Sequence, residues 1–269
     1  MKTYFIGDLH GNLPALERCL RHADESRADR IICLGDLVGW LPFGDRVVAR
    51  MRELDLPTVA GNHDLLVAGL FEDLPEQVER KQASAYNCGL LSTIPGALDY
   101  LASFPMQLIE RDFLAIHSSP FHLPRPGTAP DIECFPYAVE VLSGPTSLDW
   151  APVPRKVVIS GHDHIPKILE FQADPGAVGP IAHKPGQSAG FTVPIRDGHY
   201  YWIKTGSVGG PYRDGIPAAN SAVYDDLAQT VTLHRLEYDA SGLARELADH
   251  PFARNLSTLR QYVFLLRKS

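Results

Sequence analysis

Five short apolar runs in this chain each stop directly at a residue able to bind a metal ion, and few folds can use that arrangement. Residues 3–6 run into Asp8-Leu9-His10, residues 30–34 into Gly35-Asp36, and residues 57–60 into Gly61-Asn62-His63-Asp64. Later, residues 113–116 run into His117, and residues 157–160 into Gly161-His162-Asp163-His164. Short apolar runs bounded by turn residues read as buried strands. Behind Asn12 as N-cap, residues 13–23 place Leu13, Leu16, Cys19 and Leu20 on one helical face, and residues 45–54 form a second amphipathic helix. Strands alternating with helices predict βαβ units and a parallel sheet. In open α/β sheets, ligands bind outside the carboxyl ends of the strands. Groups spread over more than half of the chain are therefore expected to meet in one crevice.

The remaining pattern fits a single domain over residues 1–269, with no internal repeat and no low-complexity linker. Residues 64–101 read as helical, broken near Pro75 and Pro95, and strands are expected at 106–110 and 112–117. A Pro- and Gly-rich segment, 118–154, reads as loop with one short helix; loops of that length are more often functional than idle. Strands follow at 156–160, 165–171, 199–205, 222–225 and 230–236, with a Gly/Pro-rich hairpin or flap inserted at about 172–198 and a helical tail beyond Ser241.

Composition narrows the chemistry. The formal charge of −7 argues against a broad basic face that coats extended nucleic acid. It leaves room for a phosphorylated substrate, because bound cations reverse the local field of an acidic site. Cys19, Cys33, Cys88 and Cys134 form no C-x-x-C pair, which excludes a zinc knuckle or thioredoxin motif, and scattered cysteines suit a reducing compartment. No apolar run is long enough to cross a bilayer. With a strand starting almost at Met1 no signal peptide is expected, so a cytoplasmic location is the default.

Asp8, His10, Asp36, Asn62, His117, His162 and His164 offer mixed nitrogen and oxygen ligands, a set suited to Mn, Fe, Zn, Co or Ni. The pairs Asp8/His10 and His162/His164 are expected to project to one side of extended backbone. Seven ligands are too many for one ion and reasonable for two that share a carboxylate. Two dications about 3.5–4 Å apart need bridging anions, for which Asp36 and a hydroxide are the natural choices. Two dications, two carboxylates and one hydroxide leave a charge of about +1, which attracts a phosphate. The hydroxide would attack phosphorus in line, and His63, beside Asn62, is the best candidate to supply the leaving oxygen with a proton. Taken singly, each motif has a plainer reading as a turn, a cap or a hydrogen-bonded core histidine. Their joint occurrence in this order, each at a strand end, decides against coincidence. The other histidines (His22, His122, His183, His199, His234, His250) read as structural, with His122 a possible exception because it lies in the loop after His117.

These residues spell D-x-H, G-D, G-N-H-[DE], H and G-H-x-H, and the chain resembles the calcineurin-like metallophosphoesterases. Residues 11–16, 34–39 and 206–209 are similar to the small bacterial and archaeal phosphodiesterase branch. The resemblance implies an α/β fold, a four-layer α/β/β/α sandwich of two mixed sheets flanked by helices. It also implies one ion on Asp8, His10 and His164, a second on Asn62, His117 and His162, Asp36 as bridge, and His63 facing the leaving group. The chain departs from the family's protein phosphatases and dinucleoside tetraphosphatases. Leu37-Val38-Gly39-Trp40 follows Asp36, so their phosphate-binding Asp-Arg is missing. Ser118-Ser119-Pro120 follows His117, and Lys204-Thr205-Gly206-Ser207 stands where the branch often has Asn-Pro-Gly-Ser. Arg213 is a candidate phosphate contact. The expected activity is that of a metal-dependent phosphodiesterase for small or nucleotide-like phosphoesters, with no membrane partner. The runners-up are a phosphomonoesterase or protein phosphatase, and a non-catalytic metal-binding scaffold.

Overall fold

In the computed structural model, which describes residues 1–125, 127–144, 148–172 and 179–267, the chain opens with β1 (Lys2–Ile6), α1 (Leu13–Glu25), β2 (Arg30–Cys33) and α2 (Gly44–Leu54). β1 and β2 pair in parallel, with Thr3 beside Arg30 and Ile6 beside Cys33, as a βαβ unit requires. The cap of α1 is Asn12, whose Oδ1 accepts the Ala15 N–H at 3.1 Å, with Pro14 in the first turn.

The run at 57–60 is not a full strand. It makes one parallel bridge, Thr58 with Cys33. Pro57 has no N–H to donate, and the Ala60 N–H turns away to the Pro105 carbonyl, so the ladder cannot extend. Helices α3 (Asn62–Val67), α4 (Val78–Leu91) and α5 (Ala97–Ala102) follow, separated near Pro75 and Pro95 as expected. Next come β3 (Gln107–Ile109), β4 (Leu114–Ile116), a 3₁₀ turn (Ile132–Cys134) and α6 (Ala138–Ser143). The second half supplies β5 (Val157–Ser160), β6 (Lys167–Gln172), β7 (Ile181–His183), β8 (Gly190–Pro194), β9 (His199–Lys204), β10 (Ala219–Asp225) and β11 (Thr230–Leu236). The tail is α7 (Ser241–Asp249), α8 (Pro251–Asn255) and α9 (Ser257–Leu266).

Two mixed sheets result, in the orders β2-β1-β10-β11-β8 and β3-β4-β5-β9-β6-β7. Strand alternation sorts their side chains into layers. Phe5, Phe113, Ile159, Ile203 and Leu233 belong to the core between the sheets, where Phe5 meets Phe113 edge-on with ring centroids 5.1 Å apart. Tyr4 and Ile6 turn the other way, toward Leu16, Cys19 and Val47 of the helical layer. On the far side Val158 and Trp202 lie with Ala138 and Val141 of α6. This is the expected α/β/β/α sandwich. Within the expected flap, residues 173–178 lie outside the described residues. Its described part gives each sheet an edge strand, β7 beside β6 and β8 beside β11. Within the loop-rich segment, residues 126 and 145–147 also lie outside the described residues. No helix among the described residues is long and apolar enough to cross a membrane.

Candidate metal centre

The turns after β1 and β2 run side by side. The Asp8 N–H donates to the Gly35 carbonyl, His10 to Asp36, and Gly11 to Leu37, all within 3.0 Å. Asp64 joins them to the third motif: its carboxylate accepts N–H groups of Asp36 (2.7 Å), Leu37 (2.8 Å) and Gly61 (3.1 Å). From the other sheet, the His162 N–H reaches the Asp8 carboxylate at 3.0 Å, and Gly161 packs so tightly on it that a Cβ would lie 2.5 Å from Asp8 Oδ2. The segment 206–209 supports the first motif, since Val208 and Gly209 donate to the Gly7 and Asp8 carbonyls.

The paired ligands are not on extended backbone, contrary to the expectation for Asp8/His10 and His162/His164. Asp8, His10, Asp36, His162 and His164 all have positive φ, between 47° and 69°, and make up five of the eight such non-glycine residues among those described. Each costs about 1–2 kcal/mol. The strain is concentrated where the side chains converge, which is where function can require it.

Hydrogen bonds aim the histidines. His10 Nδ1 meets the Val38 carbonyl at 2.8 Å, His117 Nδ1 the Leu34 carbonyl at 2.6 Å, and His164 Nδ1 the Pro211 carbonyl at 2.8 Å. A carbonyl only accepts, so each Nδ1 carries a proton and each Nε2 faces inward, presenting a lone pair when it is not itself protonated. These lone pairs converge. His10 Nε2 and His164 Nε2 are 3.1 Å apart, and His164 Nε2 is 3.3 Å from Asp8 Oδ1. Ligands about 2.1 Å from one ion and at right angles lie about 3 Å apart. Without a cation these facing acceptors repel, so Asp8, His10, Asp36 and His164, all buried and with one ligand atom each within 4.8 Å of one another, fit a metal.

A second group lies beside the first. Asn62 Oδ1 is 2.9 Å from His162 Nδ1 and 3.2 Å from His117 Nε2, and those two nitrogens are 3.3 Å apart. Asp36 touches both groups: Oδ2 is 3.6 Å from His10 Nε2 and 3.3 Å from His117 Nε2, while Oδ1 accepts the His63 N–H at 2.8 Å. Burial works against the Asp36 charge, yet His117, His63 and His10 hold its carboxyl well below the usual range. Burial pushes His10 down to about 4 and His162 well below its ordinary value. Burial also opposes charge on His117, but Asp36 outweighs it and raises His117 to about 9. A proton there does for His117 and Asp36 what a cation does.

His63 stands over His10, ring centroids 4.8 Å apart, and beside Trp40 at 5.5 Å. Its Nδ1 has no hydrogen-bond partner among the described residues and rests on Gly39, where a Cβ would come within 2.1 Å of it. Burial, with smaller contributions from His10 and Arg80, keeps His63 well below its ordinary value despite Asp36. At the other end of the cluster, Tyr137 stacks on His162 at 4.7 Å, and the Arg213 guanidinium covers Tyr137 at 4.5 Å and donates to its hydroxyl at 2.8 Å. Asp163 fixes this arch by accepting the Ala138 N–H at 3.2 Å, and the fully buried Lys204 holds Asp163 at 3.3 Å.

All seven expected ligands and His63 are thus brought together, and Arg213 lies at the rim. His122 does not join them: it is exposed and bound to Ser119. Sequence reasoning missed the roles of Gly39 beneath His63 and Tyr137 against His162. Gly39 was visible as a glycine three residues after Asp36; Tyr137 carries no local signal.

A family model described as calcineurin-like phosphoesterase matches residues 1–166. The crystal structure of a metallophosphoesterase from Sphaerobacter thermophilus is similar with a TM-score of 0.73 and 31% identity, covering 99% of each chain. An uncharacterized protein of Methanocaldococcus jannaschii is 27% identical over 238 residues, 87% of this chain and 86% of its own.

Proposed function

Because the chain belongs to the calcineurin-like phosphoesterase family, and so to the metal-dependent phosphoric ester hydrolases, we propose that it cleaves phosphodiester bonds of small or nucleotide-like substrates at a pair of divalent cations. Asp8, His10 and His164 would hold one ion; Asn62, His117 and His162 would hold the other. The observation that carries this reading is the position of Asp36 Oδ2, 3.6 Å from His10 Nε2 and 3.3 Å from His117 Nε2, where one oxygen serves both groups. Mn, Fe, Zn, Ni or Co would suit these donors, and two such ions supply activation of water and neutralisation of phosphoryl charge.

The chain's own residues do the rest. With Nδ1 against Gly39 and without an acceptor, the neutral His63 ring carries its proton on Nε2. From there it donates a hydrogen bond to the departing oxygen, where negative charge develops during displacement, and the leaving group takes its proton from solvent. Tyr137 stacks on His162, Arg213 covers Tyr137, and the two would contact the phosphate from the rim.

The test uses metal-stripped protein, resupplied with manganese, on an aryl phosphodiester and the matching monoester. Turnover that needs metal and is lost in Asp36→Asn and reduced in His63→Ala supports the reading, and a diester preference supports its finer part. Two bound ions with no turnover of either ester would point to a binding role instead.

A further inference from the structure

A buried arginine outside the metal cluster sits on a helix that packs against the turn behind His63. Arg80 lies on the face of α4 that also carries Ala83 and Asn87, at helical spacings of three and seven. That face rests on the turn behind His63. Asn87 donates to the Gly39 and Leu41 carbonyls at 3.4 and 3.2 Å, and Ala83 packs in one cluster with Trp40 and Leu41. The Arg80 side chain is only 9% exposed, and Asp73, at 1%, takes its Nε and Nη2 as a two-pronged pair. Nη1 has no protein acceptor among the described residues. Burial opposes charge on Arg80, but Asp73, and then Tyr137 and Asp36, hold it above its ordinary value.

Such a cation is costly to keep beside ions that already carry positive charge. A planar fork fixed on one edge by a carboxylate keeps its other edge for a second planar or tetrahedral anion. The site reads a phosphoester, and the α4 face that carries Arg80 packs on the Gly39–Leu41 turn against which His63 rests, the side from which the leaving group departs under that reading. We propose that Arg80 is a specificity-determining residue that binds a second anionic group, phosphate or carboxylate, carried by the leaving side of the substrate. Asp73 acts as its positioning residue. The inference rests on the phosphoesterase reading above and narrows its substrate class to phosphoesters with a charged leaving group.

The test is a matched series of aryl phosphodiesters whose leaving group bears no charge, a carboxylate or a phosphate, assayed with the manganese-loaded protein. In Arg80→Gln the ratio of kcat/KM for charged over uncharged leaving groups should fall about 10- to 100-fold, the size of a lost charge-assisted hydrogen bond. Arg80→Lys, which keeps the charge but not the fork, should fall less; it also serves if the glutamine variant does not fold. Asp73→Asn should lower the same ratio. The larger ratio in the unaltered protein, for phosphate or for carboxylate, names the source of the anion. A ratio unchanged by Arg80→Gln, whether both rates drop together or neither does, overturns the proposal. If the unaltered protein cleaves none of the esters, the phosphoesterase reading fails. Calorimetry of pyrophosphate against orthophosphate on the metal-loaded protein then decides for Arg80. A pyrophosphate preference lost in Arg80→Gln supports it, and one retained or never present overturns it.

Discussion

Replacing Gly39 with alanine should impair the reaction at the leaving group while leaving both ions bound. Gly39 has φ +122°, a conformation that side chains other than glycine's adopt only at a cost of about 1–3 kcal/mol. A Cβ there would lie 2.1 Å from His63 Nδ1, 2.6 Å from its Cγ and 2.7 Å from its Cβ. Ordinary carbon contacts are about 3.5–4 Å, so the ring and its backbone must retreat by roughly 1.5 Å. Overpacking of that kind adds about 1–3 kcal/mol. The loss of about 2–6 kcal/mol is survivable for a domain with about 5–15 kcal/mol of stability. A catalytic group displaced by about 1 Å loses about 100-fold in rate. The assay is kcat across phosphodiesters of rising leaving-group pKa, with metal content and melting temperature measured on the same samples. The loss should be small for nitrophenol and reach about 100-fold for an alkyl alcohol, which needs His63 most. Equal rates for the two proteins across the series, with two ions bound to each, would refute a His63 that rests on Gly39 and acts at the leaving oxygen.

Two further predictions concern protonation. Burial opposes charge on His117, but in metal-free protein Asp36 raises it to about 9, so a proton occupies the lone pair that the proposed second ion would need. Affinity for that ion should therefore rise by up to about tenfold per pH unit from 7 and level off above 9, with one proton released near neutrality; calorimetry in buffers of different ionisation enthalpy checks this, and a flat affinity from pH 7 to 9 would contradict it. The sign for stability is opposite: this proton stabilises the metal-free fold fully below the ordinary histidine value, and the contribution is lost as pH rises through about 9. Far from the centre, Glu79 caps α9 from α4, accepting the Ser257 and Thr258 N–H groups at 2.6 and 3.0 Å and both hydroxyls at 2.6 Å. Burial raises Glu79, but these bonds outweigh it and hold the carboxyl down to about 2, so its contribution is present above about 4.5 and lost as pH falls through 2. Glu79→Ala should cost about 1 kcal/mol in chemical denaturation at pH 7, and no change there would remove the capping role.

The candidate ligands were legible because each motif is local. An apolar run of four residues, a glycine and an Asp or His at the next position need only neighbouring residues to be recognised. The alternation of Tyr4, Phe5 and Ile6 between two cores follows from a strand period of two, and the Asn12 cap from a three-residue spacing. The short bridge at Thr58 was misread as a strand because the hydrogen bond that ends it goes to Pro105, far along the chain. The same limit hid the finer features of the centre. Which nitrogen of His10, His117 and His164 faces inward is decided by the carbonyls of Val38, Leu34 and Pro211, between 28 and 83 residues away. The left-handed backbone at five ligands comes from turns laced to one another across both sheets. Tyr137 reaches His162, and the helix face of Arg80 reaches the turn behind His63, only because α6 and α4 pack there. Residue type and short spacing therefore determine which donors are present and that strands deliver them. Their aim, their protonation and the arginines around them are set by contacts between distant segments, which local periodicity does not encode.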